Sequence, residues 1–380
     1  MTTPRENMLR LLSHEKSEWR PCCFHVSNRH NIPGCLPPDL LKEPLDRLAI
    51  SKYLGGDLLY EIYPVKILFS ESISIRNSGS GNISVREIST PLGSLCTQSE
   101  KSVIKSIPSG NELPEGTVSS GDSVISTITR FPLREKEDYK TLQYLFENMR
   151  FELDMEVIDK ALAGVGNDGI VVIGGGMPSP LYGLINDYTG LEQFIYDYTD
   201  YPDLLKETME IIFQKSCEWY SVASRSGAQV IRGTDDLDAN LVSPAMVREH
   251  SVPYVRKYAD ICHQNGKTMI LHMCGNIKEF LTDIKTTGID AIHCLCPPPT
   301  GNTPLNYAHK VLNDDIVMMV RPDPITLTTG TPEKVTENIH AILKEVAGLR
   351  NFILIVPCGR APLENLMAVK NVMQQHEIKQ

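Results

Sequence analysis

The chain has 380 residues, of which 41% are hydrophobic and 22% are charged, a balance typical of a globular protein long enough for a large core. The net charge of -10 leaves no basic footprint, which argues against a nucleic-acid partner. No apolar run is long enough to span a bilayer, and residues 1–20 lack the apolar core of a signal peptide. We therefore expect a cytoplasmic protein with no membrane partner, whose ten cysteines are thiols and metal ligands rather than disulfides.

In chain order, a short helix is predicted over residues 4–12, with Thr3 as its cap and Pro4 at its first position. A first strand over 21–26 and a helix over 40–53 follow, and then a second strand over 57–63. Helical patterns next cover residues 138–149, 154–163, 191–199, 202–224, 243–263, 277–286, 305–312, 332–346 and 362–374. Six further strands are predicted over 169–173, 229–232, 268–271, 291–295, 316–320 and 352–356.

Residues 65–130 interrupt this pattern. Isolated β-prone residues lie there among Ser, Arg and Glu, with turn signals between them. The segment has too few large apolar residues for a core of its own, so we interpret it as an inserted β-hairpin region of a single domain over 1–380. The alternation of eight strands with helices predicts parallel strands joined by helical crossovers. Eight of them favour an α/β fold of the closed (β/α)8, or TIM barrel, type over an open doubly wound sheet.

The stretch on which the functional interpretation depends is residues 267–274, which read KTMILHMC. Its β-prone run ends in His272 and Cys274, and one residue separates them, so both side chains point the same way on an extended chain. The last strand ends similarly, just before Cys358. Imidazole and thiolates are zinc ligands, and three protein ligands leave a fourth position open, as in catalytic sites. We therefore predict zinc (Zn2+) on His272, Cys274 and Cys358.

Other polar and sulfur groups also follow predicted strands. Asp235 and Asp236 come directly after one of them, where either could act as an acid or base or hold a substrate or a ligand histidine; the alternative is a solvated loop with a helix cap. Arg321 could bind an anionic substrate or form a surface ion pair. Cys294 and Cys296 share one face of their strand and either join the zinc ligands or pack in the core.

The predicted donor set bears on the reaction. Two thiolates make zinc a weaker Lewis acid toward water and suit it to hold an incoming thiol as the thiolate, which is a nucleophile at neutral pH. Hydrolysis is less natural, because no His-Glu-x-x-His or similar motif is present. The chain also lacks an Asp-x-His-x-x-Gly segment of the kind that binds a corrinoid.

These residues resemble the uroporphyrinogen decarboxylase superfamily. The resemblance lies in residues 271–276 (LHMCGN), 288–292 (GIDAI), 3–6 (TPRE) and 233–237 (GTDDL), and in Cys358. It is stronger toward the zinc branch, the methylcobamide:coenzyme M methyltransferases and related corrinoid methyltransferases. That resemblance implies a β/α barrel, zinc on the three residues predicted above, and methyl transfer with the corrinoid (cobalamin) of a partner protein. The similar site of cobalamin-independent methionine synthase has an additional Glu ligand, which would fall near Cys296, so Cys296 is a candidate fourth ligand.

The chain also departs from its relatives. Uroporphyrinogen decarboxylases carry an Arg-rich segment after the first strand, whereas residues 22–28 here read CCFHVSN, so porphyrinogen decarboxylation is disfavoured. The insertion resembles relatives that demethylate small methyl donors, while the thiolate site favours a thiol acceptor, so the direction of transfer stays open. The competing hypotheses are a decarboxylase of the same fold and a non-catalytic zinc-binding barrel.

Overall fold

The structure is a computed structural model, described here for residues 1–26, 36–41, 46–104, 123–359 and 361–377. Its strands, in chain order, are β1 (Cys22–His25), β2 (Leu58–Ile62), β3 (Val65–Phe69), β4 (Ser74–Ser80), β5 (Ile83–Thr90), β6 (Gly93–Ile104), β7 (Ser123–Arg130), β8 (Met149–Leu153), β9 (Gly169–Ile173), β10 (Val230–Thr234), β11 (Thr268–His272), β12 (Ala291–Leu295), β13 (Val317–Val320) and β14 (Phe352–Pro357).

The helices of the described ranges are α1 (Pro4–Leu12), α2 (Arg47–Leu54), α3 (Asp138–Glu147), α4 (Met155–Val165), α5 (Pro180–Gly183), α6 (Gly190–Asp200), α7 (Pro202–Ala223), α8 (Pro244–His250), α9 (Val252–Gln264), α10 (Leu281–Ile284), α11 (Leu305–Leu312), α12 (Pro324–Thr329), α13 (Pro332–Glu345) and α14 (Leu363–Glu377). Short 3-10 turns cover Pro38–Leu41, Lys278–Phe280 and Lys285–Thr287, and a π-helical turn covers Leu184–Thr189.

Eight parallel strands form the barrel in the order β1-β14-β13-β12-β11-β10-β9-β2. The two ends of this sheet meet, because the backbone N–H of Asp57 donates to the carbonyl of Cys22 at 3.0 Å. The Asp57 carboxylate strengthens this junction by accepting the N–H of Cys22 at 3.1 Å. The predicted TIM barrel is therefore confirmed, and each predicted barrel strand overlaps an observed one.

The barrel interior is filled by aliphatic side chains such as Leu59, Val172 and Ile353, and Met8 and Leu11 of α1 pack into the same cluster. Helix α1 is tied to the start of β9, where Arg5 N–H donates to the carbonyl of residue 167 at 3.1 Å. Because α1 covers the amino-terminal end of the strands, the opposite, carboxyl end is the face left for a site.

The insertion is larger than the hairpin region predicted for residues 65–130. Strands β4 to β7 form a four-stranded antiparallel sheet, and β3 pairs with β8, which lies beyond the predicted boundary. The sequence did not predict β8, because five residues between two helices carry little periodicity and their pairing with β3 spans about eighty residues of chain. Residues 105–122, which belong to the predicted insertion, lie outside the described part.

The helix predicted over 243–263 is two helices, α8 and α9, which meet at Ser251. Pro253 lacks the N–H needed to continue the first helix, so a new helix begins there. Within the described residues, no helix combines the length and apolarity needed to cross a membrane.

Candidate functional site

The strand ends at the open face of the barrel bring together a cluster of titratable side chains. His272 ends β11, and Cys274 follows it. After Cys274 the chain turns at Gly275, whose φ of 80° is left-handed and whose missing side chain leaves room for Asp238. Asp238 accepts the N–H of Asn276 at 3.1 Å and so fixes the loop that presents Cys274.

Asp236 holds Cys274 in place. Its Oδ1 accepts the backbone N–H of Cys274 at 2.6 Å, and its Oδ2 lies 3.2 Å from the Cys274 Sγ. The same Oδ2 is 4.0 Å from Nε2 of His272. The ligand atoms of these three residues all lie within 4.8 Å of one another, which is close enough to converge on one cation.

A β-bulge shapes the neighbouring strand. The pairing of β12 with β13 shifts register between His293 and Leu295, and Cys294 between them has a φ of 65°. A left-handed non-glycine residue is strained, and bulges of this kind re-aim side chains next to active sites. The result is a second group of converging atoms, in which His272, His293 and Cys294 lie within 4.8 Å of one another.

The two histidines are held neutral. Burial lowers the pKa of His272 to about 4 and that of His293 well below its usual range. The Nδ1 atoms of the two rings are 2.8 Å apart. A neutral imidazole keeps a free lone pair, so burial prepares His272 as a metal ligand.

The thiols at this edge also interact. The pKa of Cys296 is lowered to about 6, chiefly by a hydrogen bond from the Cys274 thiol and also by the charge of Arg321. The same hydrogen bond, together with burial, raises the pKa of Cys274. Arg321 follows β13 beside Cys296, since its N–H donates to the carbonyl of Leu295 at 3.3 Å. Burial opposes it, but the neighbouring Cys296 and Cys294 sulfurs raise the pKa of Arg321, so this cation interacts with the sulfur atoms.

A buried ion-pair cluster lies beside the two histidines at the barrel mouth. Glu61 of β2 is 1% exposed and forms an ion pair with Arg232 of β10. Its Oε2 accepts the Tyr63 hydroxyl at 2.9 Å and lies 3.3 Å from Nε2 of His25. Burial pulls the pKa of Glu61 upward, but His25 and Arg232 outweigh it and lower the pKa to about 2. The triple glycine after β9 makes room here, because a Cβ at Gly174 would overlap the Glu61 carboxylate.

Asp235 points away from the group formed by Asp236, His272 and Cys274. It is fully buried and accepts hydrogen bonds from the N–H and hydroxyl of Ser179 at 3.1 and 2.6 Å, and from the hydroxyl of Ser251. Burial raises its pKa to about 6 although these hydrogen bonds oppose the shift. Asp235 thus ties the starts of α5 and α9 to β10, while Asp236 alone of the predicted acidic pair faces His272 and Cys274.

Of the predicted metal ligands, the structure brings His272 and Cys274 together but leaves Cys358 apart. Cys358 is fully buried, and its Sγ donates to the carbonyl of Val356 at 3.4 Å. Cys358 packs in the layer between the barrel and the helices. Burial raises the pKa of its thiol, and the nearby Cys22 adds to this shift. Its backbone still reaches the mouth, since its N–H donates to the carbonyl of His25 at 3.3 Å. Asn28, also at a predicted strand end, lies outside the described residues.

Three residues of this face escaped the sequence analysis: Glu61, Arg232 and His293. Each lies inside an apolar strand rather than after it. That position was itself a signal, because a charged residue in a buried strand needs a partner nearby. The neutral imidazole of His272 and the thiol of Cys274 form a donor set that suits zinc.

A sequence model of the family described as Uroporphyrinogen decarboxylase (URO-D) matches residues 117–377. A curated protein of Methanosarcina mazei, named "Methylated-thiol--coenzyme M methyltransferase", is 28% identical over 144 residues, which are 37% of this chain and 36% of that protein. The chain thus matches about a third of that relative's length. A solved structure described as a methyltransferase from Methanosarcina mazei has a TM-score of 0.65 at 17% identity, with 99% of each chain covered, which shows a shared fold.

Proposed function

Because this chain belongs to the uroporphyrinogen decarboxylase family, we propose that it is a zinc-dependent methyltransferase. It would move a methyl group between a small substrate and the corrinoid of a partner protein. The observation that carries the proposal is the convergence of the His272 imidazole and the Cys274 thiol on one point at the open face of the barrel. The name of the partly matching relative, which refers to a methylated thiol and to coenzyme M, supports this reaction class.

His272 and Cys274 are the proposed zinc ligands, with Cys358 as the third. For Cys358 to take part, its Sγ must leave the Val356 carbonyl and turn toward the mouth. Cys296 is the competing third ligand, because a hydrogen bond with Cys274 lowers the pKa of its thiol and so favours the thiolate form that binds zinc. Zinc bound by imidazole and thiolates would hold a substrate thiol as its thiolate at neutral pH.

The residues around these ligands have separate tasks. Asp236 accepts the Cys274 N–H and lies 3.2 Å from its sulfur, so it orients this thiol and is placed to take its proton. Burial keeps His272 neutral, with a lone pair free to bind a metal. Arg321 stabilises negative charge on the Cys296 sulfur. The Glu61–Arg232 pair forms a buried, charged wall beside these ligands, since Arg232 lies on β10, the strand that pairs with β11.

The corrinoid would arrive on a partner protein, because the chain has no corrinoid-binding Asp-x-His-x-x-Gly segment of its own. The partner must reach the carboxyl face, where large apolar side chains are exposed between the strands and the helices that follow them. Tyr63 after β2 is 50% exposed, Leu241 after β10 is 60% exposed, and Ile325 at the start of α12 is 67% exposed. Exposed apolar groups around a mouth are suited to a transient protein contact.

Metal analysis of the purified protein is the first test. We expect about one zinc per chain, the stoichiometry of a single open site. His272→Ala and Cys274→Ala should lose it, whereas Cys217→Ala, a half-buried thiol on α7, serves as the matched control and should keep it. Loss in Cys358→Ala but not in Cys296→Ala would establish the predicted third ligand, and the reverse result would assign Cys296. Full zinc retention in both His272→Ala and Cys274→Ala would refute the site.

The reaction itself is tested by cobalt absorption spectroscopy. The protein is mixed with methylcobalamin and a panel of thiols for one direction, and with cob(I)alamin and methyl ethers for the other. A spectral change that disappears in Cys274→Ala supports methyl transfer and gives its direction. A zinc-loaded protein that gives no change, even with a corrinoid protein present, would favour the non-catalytic barrel. Decarboxylation of a porphyrinogen without zinc would favour the decarboxylase.

A further inference from the structure

We propose that His293 is a positioning residue for His272: it accepts the Nδ1–H of His272 and so leaves Nε2 of His272 unprotonated toward Asp236 and Cys274. This inference rests on the proposed zinc site. It adds a hydrogen-bond acceptor for the ligand His272, and that acceptor is not one of the predicted zinc ligands. His293 is in the middle of β12, and the resemblance of the sequence gave no reason to single it out.

The geometry allows few alternatives. The Nδ1 atoms of His272 and His293 are 2.8 Å apart, and their ring centroids are 5.1 Å apart. A contact of this length between two ring nitrogens is a hydrogen bond, and it holds one proton. The opposite nitrogen of His272, Nε2, lies 4.0 Å from Asp236 Oδ2, on the side of Cys274. The His272 ring therefore contacts His293 through Nδ1 and faces Asp236 and Cys274 through Nε2.

Two tautomeric arrangements fit this contact. If His293 donates, Nε2 of His272 carries the proton and cannot bind a cation. If His272 donates, its Nε2 presents a lone pair to the group formed with Asp236 and Cys274. A ligand histidine usually donates its second N–H to a fixed acceptor, which sets the tautomer and the ring orientation. His293 is in the place of that acceptor, so binding of a cation selects the second arrangement.

The surroundings of His293 indicate that the fold holds it there at a cost. The side chain is 1% exposed, and its Nε2 is buried with no hydrogen-bond partner among the described residues. An unsatisfied buried polar atom and the left-handed Cys294 next to it are both unfavourable. The ring is confined on its other side by His25, with centroids 5.3 Å apart at an angle of 77°. A leucine at this position would avoid the cost of the unsatisfied nitrogen. The Nδ1 contact with His272 is the interaction that offsets this cost.

The test compares zinc dissociation constants measured by competition with a chelator. His293→Leu keeps the bulk but removes the acceptor, whereas His293→Asn places an amide oxygen where Nδ1 was. We expect His293→Leu to bind zinc about 10 to 100 times more weakly, the usual cost of losing such a partner. His293→Asn should stay close to wild type. The matched control is His309→Leu on α11, since His309 also has a buried ring nitrogen with no hydrogen-bond partner in the described part of the chain but lies on an outer helix.

A second measurement does not depend on a variant that folds. In the zinc-loaded wild type, 15N chemical shifts of the imidazoles should show His272 protonated at Nδ1. Protonation at Nε2, or unchanged zinc affinity in His293→Leu, would overturn the inference while leaving the zinc site intact. A wild type that binds no zinc would overturn the inference together with the site. Neither the zinc affinity nor the 15N chemical shifts depend on methyl transfer. A protein that binds zinc but is inactive therefore still tests the role of His293.

Discussion

Replacement of Glu61 by Gln tests how much the buried Glu61–Arg232 ion pair contributes to the stability of the protein. The Glu61 carboxylate is 1% exposed and pairs with Arg232, while Tyr63 donates to it at 2.9 Å and His25 lies 3.3 Å away. Gln keeps the size of the side chain but removes its charge. Arg232 would then remain nearly buried without its counterion.

The structure gives the expected magnitude in two ways. Although burial opposes it, the pKa of Glu61 is lowered from 4.5 to about 2, and at about 1.4 kcal/mol per pH unit the pairing favours the charged form by about 3 kcal/mol. Removing one partner of a buried ion pair typically costs about 3 to 5 kcal/mol, because the other charge stays buried. We therefore expect Glu61→Gln to lower the free energy of unfolding by about 3 kcal/mol at pH 7.

Urea unfolding followed by circular dichroism measures this loss. Since the folded pKa is depressed, the wild-type contribution is fully present above pH 4.5 and is lost as the pH falls toward about 2. Glu61→Gln should lack that part of the pH dependence. The double variant Glu61→Gln with Arg232→Met should recover most of the stability, because no unpaired charge remains. Glu156→Gln, in an exposed i,i+4 pair with Lys160, is the control and should change little. A loss below about 1 kcal/mol in Glu61→Gln would refute the reasoning.

The remaining predictions concern the neighbouring carboxylates and the triple glycine. Asp236→Asn still accepts the Cys274 N–H but loses the oxygen that faces the thiol, so zinc affinity should fall while the unfolding midpoint stays, as measured by chelator competition and thermal melting. Asp235 binds its proton more tightly when folded, since burial raises its pKa from 3.8 to about 6, so wild-type stability should fall by about 3 kcal/mol as the pH rises from about 4 to above 6. Asp235→Asn should abolish that fall in a pH series of urea unfolding. Gly174→Ala should cost about 1 to 3 kcal/mol, because the added Cβ overlaps the pinned Glu61 side chain; unchanged stability would contradict that packing.

The barrel could be predicted from the sequence because its signals are local. Each strand is a short apolar run between turn or helix signals, and residues 169–173, 291–295 and 352–356 were located from that pattern alone. The family resemblance was carried by short motifs, several of them at strand ends, and is confirmed by the match over residues 117–377. The pairing of His272 with Cys274 was predictable for the same reason, since alternation along one strand sends both side chains to one side.

Contacts between distant segments were decided only by the tertiary structure. The orientation of Cys358 depends on rotation about its own side-chain bonds and on the core packed around Cys22, and no spacing in the sequence encodes either. The division of labour between Asp235 and Asp236 is similar: adjacent residues after a strand point in opposite directions, and only the helices packed nearby determine which one meets Ser251. Strand β8 was not predicted from the sequence, and the structure defines it through its pairing with the distant strand β3.

The Glu61–Arg232 pair and the contact of His293 with His272 complete this contrast. The sequence analysis missed Glu61, Arg232 and His293, and their partners lie 171 and 21 residues away along the chain. They meet because barrel closure fixes which strands are neighbours, and because the bulge at Cys294 turns one strand out of its regular alternation. Local propensity determines where strands form, whereas register and closure, which are set by packing of the whole barrel, determine which side chains share the mouth.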